Sequence, residues 1–322
     1  MIQYRNFRNS DPPGLTSLWN RCFQHRGAVE LNNNSYFDLI VVNKPYFDPN
    51  GFFVAEDNHQ IVGFSHAGFG PNAELNTLDP HLGVVCIVAV DPEYQRRKIG
   101  SELLQRAEQY LLKAGAKRMI GGSTIEAKPF YNGLYGGSNA PGVLLSDENA
   151  HPFLRAHQYE ERDRVIVLER GLRQPISLFD RRFVPLMRQM ETQTLPNPRL
   201  GSWWRECVYS LLNLNEFRLN DKSSLHSAAR IIFWEMKEFG WRRGVPTAGL
   251  VDVQVRSEHR RKGVGKYLLC QFLKYLQEQH FGAVETHVPA NDAGVLQLFE
   301  SVGFQQVDTG ISYEKQLPLD QQ

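Results

Sequence analysis

Apolar and polar positions in the second half of the chain change period within a few residues. Leu250, Val251, Val253 and Val255 predict a strand, while Val264, Leu268, Leu269, Phe272, Leu273 and Leu276 mark one face of a helix. Between them lies the turn "EHRRKGVGK". A further strand is predicted in "AVETHV" from Ala283, then a short helix starting at Asn291 and ending at Gly303, then a last strand in "GISYEKQL". The same order occurs earlier. "VAVDPEYQRRKIGSELLQRAEQYLLK" from Val88 aligns without a gap on "VQVRSEHRRKGVGKYLLCQFLKYLQE" from Val253, an offset of 165 residues. Val88 and Val90, Glu93, Arg96, Gly100, Leu103, Leu104 and Tyr110 each meet an identical residue in the second copy. After the first helix, "KRMIGGS" from Lys117 predicts the next strand. A strand, a crossover helix and a second strand make a parallel unit.

Beyond that unit the copies diverge. The first carries "FYNGLYGGSNAPGV", Phe130 to Val143, a Gly- and aromatic-rich loop, before "NAHPFLRAHQYEERDRVIVLER" is expected to close its sheet. A linker near "RGLRQP" places the expected domains at 1–170 and 171–322.

Composition narrows the class without naming an activity. Lys plus Arg number 36 against 35 Asp plus Glu, so the net charge of +1 argues against general attraction to nucleic acid or an anionic membrane. The longest apolar run, Val84 to Val90, is far shorter than a membrane-spanning helix and reads as a buried strand. No apolar segment follows a basic start at the N-terminus, so a cytoplasmic location is expected. Cys22, Cys86, Cys207 and Cys270 stand far apart and read as free thiols, and the histidine spacing offers no metal site. Trp203 and Trp204 precede a helical run and read as packing residues.

The basic turn is the candidate binding element. It lacks the spacing of a nucleotide P-loop or of a dinucleotide fingerprint. Free N–H groups at the start of the following helix, with the positive end of its dipole, attract an anion. Gly263 and Gly265 would let a diphosphate approach the chain while Arg260, Arg261, Lys262 and Lys266 neutralise it.

Strand, [QR]-x-x-G-x-[GA] turn, helix, strand and the terminal "NDAGVLQLFESVGF" resemble the GNAT superfamily of N-acetyltransferases. Two copies stand in tandem, an arrangement also similar to mycothiol synthase. The resemblance implies an α/β fold of two GNAT-like domains, each a mixed, mostly antiparallel sheet with a splayed central parallel pair flanked by helices. It implies acetyl-CoA as acyl donor and no metal. Val253 and Val255 would pair with the pantetheine arm; Arg260, Arg261, Gly263, Gly265 and Lys266 would bind the diphosphate; Asn291 would lie near the sulfur end. In the first copy the mapping gives Val88, Val90, Gln95, Arg96, Gly100 and Ser101. Two positions depart from the pattern. Lys98 replaces the first glycine of the first turn, which favours the second copy as the cofactor site. The family's acidic tyrosine falls at Leu154 and Phe299, and neither side chain can donate a proton.

Acetyl transfer to a primary amine by direct attack in a ternary complex is therefore the expected reaction, on a small-molecule or peptide acceptor. Asp252 and Glu235 are the candidate bases. Tyr313 and Tyr267 are substitute acids only if the fold brings one near the sulfur, and Tyr131 and Tyr135 read as loop anchors. The alternative is a non-catalytic acyl-CoA binding or sensing protein. Balanced charge argues against a relative that takes an aminoacyl group from tRNA. The repeat is compatible with a monomer built as a pseudo-dimer or with a homodimer.

Overall fold

The computed structural model describes residues 1–176, 180–223 and 226–317. In chain order its strands are β1 (Gln3–Asn6), β2 (Phe52–Asp57), β3 (Gln60–Pro71), β4 (Leu78–Val90), β5 (Arg118–Gly121), β6 (Val143–Leu144), β7 (Glu160–Gly171), β8 (Met190–Pro196), β9 (Leu214–Asp221), β10 (Ser227–Glu235), β11 (Thr247–Val255), β12 (Ala283–Pro289) and β13 (Gln305–Gln316). Its helices are α1 (Pro12–Cys22), α2 (Asn34–Phe37), α3 (Ile99–Lys113), α4 (Ala150–Ala156), α5 (Phe183–Gln189), α6 (Trp203–Tyr209), α7 (Lys237–Arg243), α8 (Val264–Glu278) and α9 (Ala293–Glu300).

Two compact units divide the chain. The first takes residues 1–164, 200–211 and those from 310 onward; the second takes 165–199 and 212–309. In the first unit β1, β2, β3 and β4 pair antiparallel in that order, and β4 then pairs parallel with β5 from Leu82↔Arg118 to Val85↔Gly121. In the second, β8, β9, β10 and β11 pair antiparallel, and β11 pairs parallel with β12 from Thr247↔Ala283 to Gly249↔Glu285. Both parallel ladders start at positions 165 residues apart.

Each ladder is short because its inner strand carries a β-bulge. β4 skips Cys86 in its pairing with β3, between His66↔Ile87 and Ala67↔Val85. β11 skips Val251 in the same way, between Ile232↔Asp252 and Phe233↔Leu250. A bulge bends its strand and raises the local twist, which turns the rest of β4 and β11 away from the parallel partner. The repeat offset holds here too, although nothing in the paired sequences marks Cys86 or Val251.

Amphipathic helices cover the sheets. In the first unit Leu104, Ala107 and Leu111 of α3 pack with Val85 and Met119. In the second, Leu268, Leu269, Phe272 and Leu276 of α8 pack with Ile231, Phe233, Leu250 and Val284. The expected closing strands lie elsewhere than the sequence order suggests. Residues 165–171 of β7 pair with β12 in the second unit, and residues 313–316 of β13 pair with β5 in the first. Alternation in each strand fixes which face is buried and leaves the choice of neighbour to the edges that need one. α6 packs in the first unit, where Trp204 donates its main-chain N–H to Leu75 and stacks on Tyr46, as expected of a packing residue. Buried Lys44 caps that helix by donating to the carbonyls of Cys207 and Val208.

Candidate active site

The two basic turns have one backbone shape. Arg96 and Lys98 take left-handed φ values of 63° and 63°, and their counterparts Arg261 and Gly263 take 61° and 83°. Lys98 therefore adopts the conformation that glycine supplies in the second copy. The two turns thus share a backbone course, while Lys98 keeps the side chain that Gly263 lacks. The side chains at the next matched pair fold back on their own strands: Gln95 Nε2 donates to the Val90 carbonyl and Arg260 Nε to the Val255 carbonyl. Their heads thus close the turn, and the exposed Arg96, Lys98, Arg261 and Lys262 carry its outward charge.

In the first unit the turn opens on a cavity of about 520 Å³. One wall is β4 from Val85 to Val90; its ladder to β5 ends at Val85, leaving β3 as its neighbour from Ile87 onward. The N-terminus of α3, with Ile99, Gly100 and Ser101, forms the floor under the turn, and α4 contributes Phe153 and Leu154. The Gly- and aromatic-rich loop adds Phe130, Tyr131, Tyr135 and Gly142 to the lining. Of the first-copy residues expected at the site, Val88, Val90, Gln95, Arg96, Gly100 and Ser101 all line it. The Ser101 hydroxyl is bound by His157 Nε2 at 3.0 Å.

Sequence reasoning named Tyr131 and Tyr135 only as loop anchors and missed Asp147. Asp147 reaches the cavity from the segment before α4, and Tyr135 Oη donates to its Oδ2 at 3.3 Å. The same Oη accepts the Leu144 main-chain N–H at 3.1 Å, so the tyrosine proton is directed at the carboxylate. Burial raises the Asp147 pKa, opposed by His25, the Tyr135 hydrogen bond and His151. Tyr131 Oη meets His66 Nδ1 at 3.1 Å in a fully buried aromatic setting, and burial lowers the imidazole to about 3. The Cys86 thiol, at the bulge, is pushed up by burial and is a poor nucleophile. An aspartate and a tyrosine twelve residues apart on irregular chain carry no periodic signal.

The second-copy residues are arranged differently. Val253 and Val255 lie on β11 beyond its ladder to β12, paired there with β10, and Gly265 stands at the start of α8. The Cβ position at Gly263 lies 3.3 Å from Arg182 Cβ, and Arg182 pairs with Asp180. Lys266 is among the groups that hold the Asp180 carboxyl below the usual range. Asp252 accepts from Gln254 and pairs with Arg230 at 3.8 Å, and Glu235 is exposed at the end of β10. Asn291 is exposed and does not cap α9; Asp292 does, accepting from Val295 N–H at 3.1 Å. Tyr267 packs on Phe183, and Tyr313 lies in the first unit with its Oη 2.8 Å from His151 Nδ1. Among the described residues no cluster of three His, Cys, Asp or Glu could hold a metal, and no helix is long and apolar enough to cross a membrane.

A sheet bulged at its parallel pair, with a helix N-terminus following the basic turn, suits an elongated anionic ligand. The family model described as "Acetyltransferase (GNAT) family" matches residues 13–134 and 227–304, and the chain belongs to that family. Membership implies acetyl-CoA as donor. The chain is 30% identical over 118 residues to an acetyltransferase of Pectobacterium atrosepticum, covering 37% of this chain and 73% of that protein. A tandem GNAT protein from the clavulanic acid biosynthesis pathway superposes with a TM-score of 0.69 at 14% identity, over 98% of each chain. A fungal multi-domain β-N-acetylglucosaminidase with a GCN5-related glucosamine N-acetyltransferase region superposes with a TM-score of 0.69 at 16% identity. That match covers 98% of this chain and only 38% of the fungal protein. At such identities these two likenesses concern the fold.

Proposed function

We propose that the chain moves an acetyl group from acetyl-CoA to a primary amine in the first-unit cavity. The observation that carries this reading is the juxtaposition of the unladdered reach of β4 with the start of α3 across one cavity. Main-chain groups of Val88 and Val90 would pair with the pantetheine arm. The N–H groups at Gly100 and Ser101, with Arg96 and Lys98, would hold the diphosphate, and Gln95 would brace the turn. In the second unit Val253, Val255, Arg261, Gly263, Gly265 and Lys266 have the matching positions, with Arg260 as brace and Asn291 beside α9. Asp252 and Glu235 are the carboxylates proposed for that copy.

Acetyl-CoA supplies an activated acyl group on a thioester. The protein must hold the amine against that carbonyl, accept a proton from the nitrogen and leave a route for a proton to the sulfur. With Leu154 at the family's tyrosine position, we assign the proton traffic in the first unit to Asp147 and Tyr135, which line the same cavity. Mixing the protein with acetyl-CoA and a pool of amines, then weighing the products, tests the reading. The expected result is gain of an acetyl group on an amine at a rate proportional to enzyme. Saturable acetyl-CoA binding with no acetylated product would favour the acyl-CoA binding or sensing alternative.

A further inference from the structure

The cavity lining has a charge pattern that selects its occupant. Phe23, Phe130, Tyr131 and Val143 give it apolar walls, and Asp147 is the only carboxylate among the lining residues. The lining cations, Arg96 and Lys98, both sit on the turn assigned to the diphosphate. A cationic head entering beyond that turn meets one counter-charge, fixed in place, and aromatic faces that also attract it. An acceptor carboxylate would meet Asp147 with no lining cation left over to neutralise it.

The carboxylate is held by its surroundings. The Asp147 main-chain N–H donates to the Leu144 carbonyl at 2.9 Å, and its carbonyl accepts from Ala150 at 3.1 Å. Tyr135 donates to Oδ2, and its ring is fixed edge-on against Phe23 and His25, with centroids 5.9 and 5.6 Å away. The titratable neighbours acting on this carboxylate are His25, His151 and Tyr135, and Asp147 in turn acts on the Cys22 thiol. His151 is engaged by Tyr313 and by the Leu144 carbonyl.

Resting on the transfer reading above, we infer that the acceptor is a primary amine on an apolar or aromatic body, with no carboxylate beside the nitrogen, and that Asp147 binds its ammonium group. The ammonium passes one proton to Asp147. The freed lone pair forms the N–C bond to the acetyl carbon, the C–S bond breaks, and the second nitrogen proton goes to the departing thiolate. The products are the amide and the thiol of coenzyme A, and Asp147 returns its proton to water.

The test uses the full chain, saturating acetyl-CoA and a matched set of acceptors: phenethylamine, hexylamine and phenylalanine. Steady-state kinetics are measured for wild type, Asp147→Asn, Asp147→Glu and Tyr135→Phe, with acetyl-CoA binding followed by calorimetry. Phenethylamine and hexylamine are expected to exceed phenylalanine in kcat/KM by about tenfold or more, and Asp147→Asn to raise their KM by about tenfold to a hundredfold. Asp147→Glu should recover part of that loss, and Tyr135→Phe should leave the ranking of acceptors intact. Acetyl-CoA affinity should stay within about twofold in every variant, which also shows that the variants fold. Preference for phenylalanine, unchanged amine KM in Asp147→Asn, or no transfer to either amine would overturn the inference. Acetyl-CoA binding would survive in each of those cases. Failure of the wild type to bind acetyl-CoA would instead overturn the transfer reading, and the inference with it.

Discussion

Replacing Gly100 by glutamate should weaken acetyl-CoA binding roughly a hundredfold, whereas the same change at Gly265 should leave the first-unit cavity intact. Gly100 is the second residue of α3, and a Cβ there would lie 3.3 Å from Phe153 Cε2 and 3.5 Å from Val90 Cγ2. A methyl group therefore fits with a small shift of a side chain, and Gly100→Ala should change stability by no more than about 1 kcal/mol, helped by its better helix propensity. A glutamate must extend into the space beside the α3 N–H groups. A unit negative charge about 5 Å from one phosphate charge, at an effective dielectric of about 20, costs about 3 kcal/mol, or roughly a hundredfold in Kd. Isothermal titration with acetyl-CoA reads this directly, with Gly100→Ala as steric control and thermal unfolding to confirm a folded chain. Near-normal affinity in Gly100→Glu, or loss of binding only in Gly265→Glu, would refute the placement of the donor in the first unit.

Three further outcomes follow from the geometry. Lys98→Gly should stabilise the first unit by about 1 kcal/mol in urea unfolding, because Lys98 holds a left-handed φ of 63°; no gain would mean that the lysine makes compensating contacts. Arg243→Met should destabilise the second unit by about 3–5 kcal/mol, because it strips the buried Glu285 of a 2.7 Å ion pair; an unchanged thermal midpoint would show that Glu285 is compensated elsewhere. Burial holds the His66 imidazole at about 3, against an ordinary 6.5. Between those values the unfolded chain binds a proton that the folded chain refuses. Stability present above about pH 6.5 should fall as pH drops, by about 2 kcal/mol at pH 5 from this group, and His66→Gln should flatten that part of the pH profile.

How much of this was legible in the sequence differs from element to element. The strand, turn and helix of each copy were readable because their apolar periods are strong and because the gapless alignment at an offset of 165 residues shows them twice. The structure extends that offset to the bulges at Cys86 and Val251, which no residue type marks, because a bulge is set by pairing across strands. The shape of the first turn was not legible from residue type, because Lys98 takes at a modest cost the left-handed conformation that Gly263 takes in the second copy. Asp147 was invisible for another reason. Its meaning comes from Tyr135 and the cavity, and both depend on how a loop without periodicity folds over the opening in β4. The cap of α9 moved by one residue, from Asn291 to Asp292, within the ordinary uncertainty of a helix end.

The pairing of β13 with β5 also sets a timetable for synthesis. Gly121 leaves the ribosome long before Tyr313, its partner across the sheet. At about 5–20 residues per second the edge of β5 waits roughly 10–40 s for the strand that covers it. During that interval the nascent first unit presents an open edge at β5, a template for unwanted pairing with other chains. Stopping translation after residue 170 would make that interval permanent. A chaperone that shields sheet edges should therefore raise the yield of a chain ended there far more than that of the full chain.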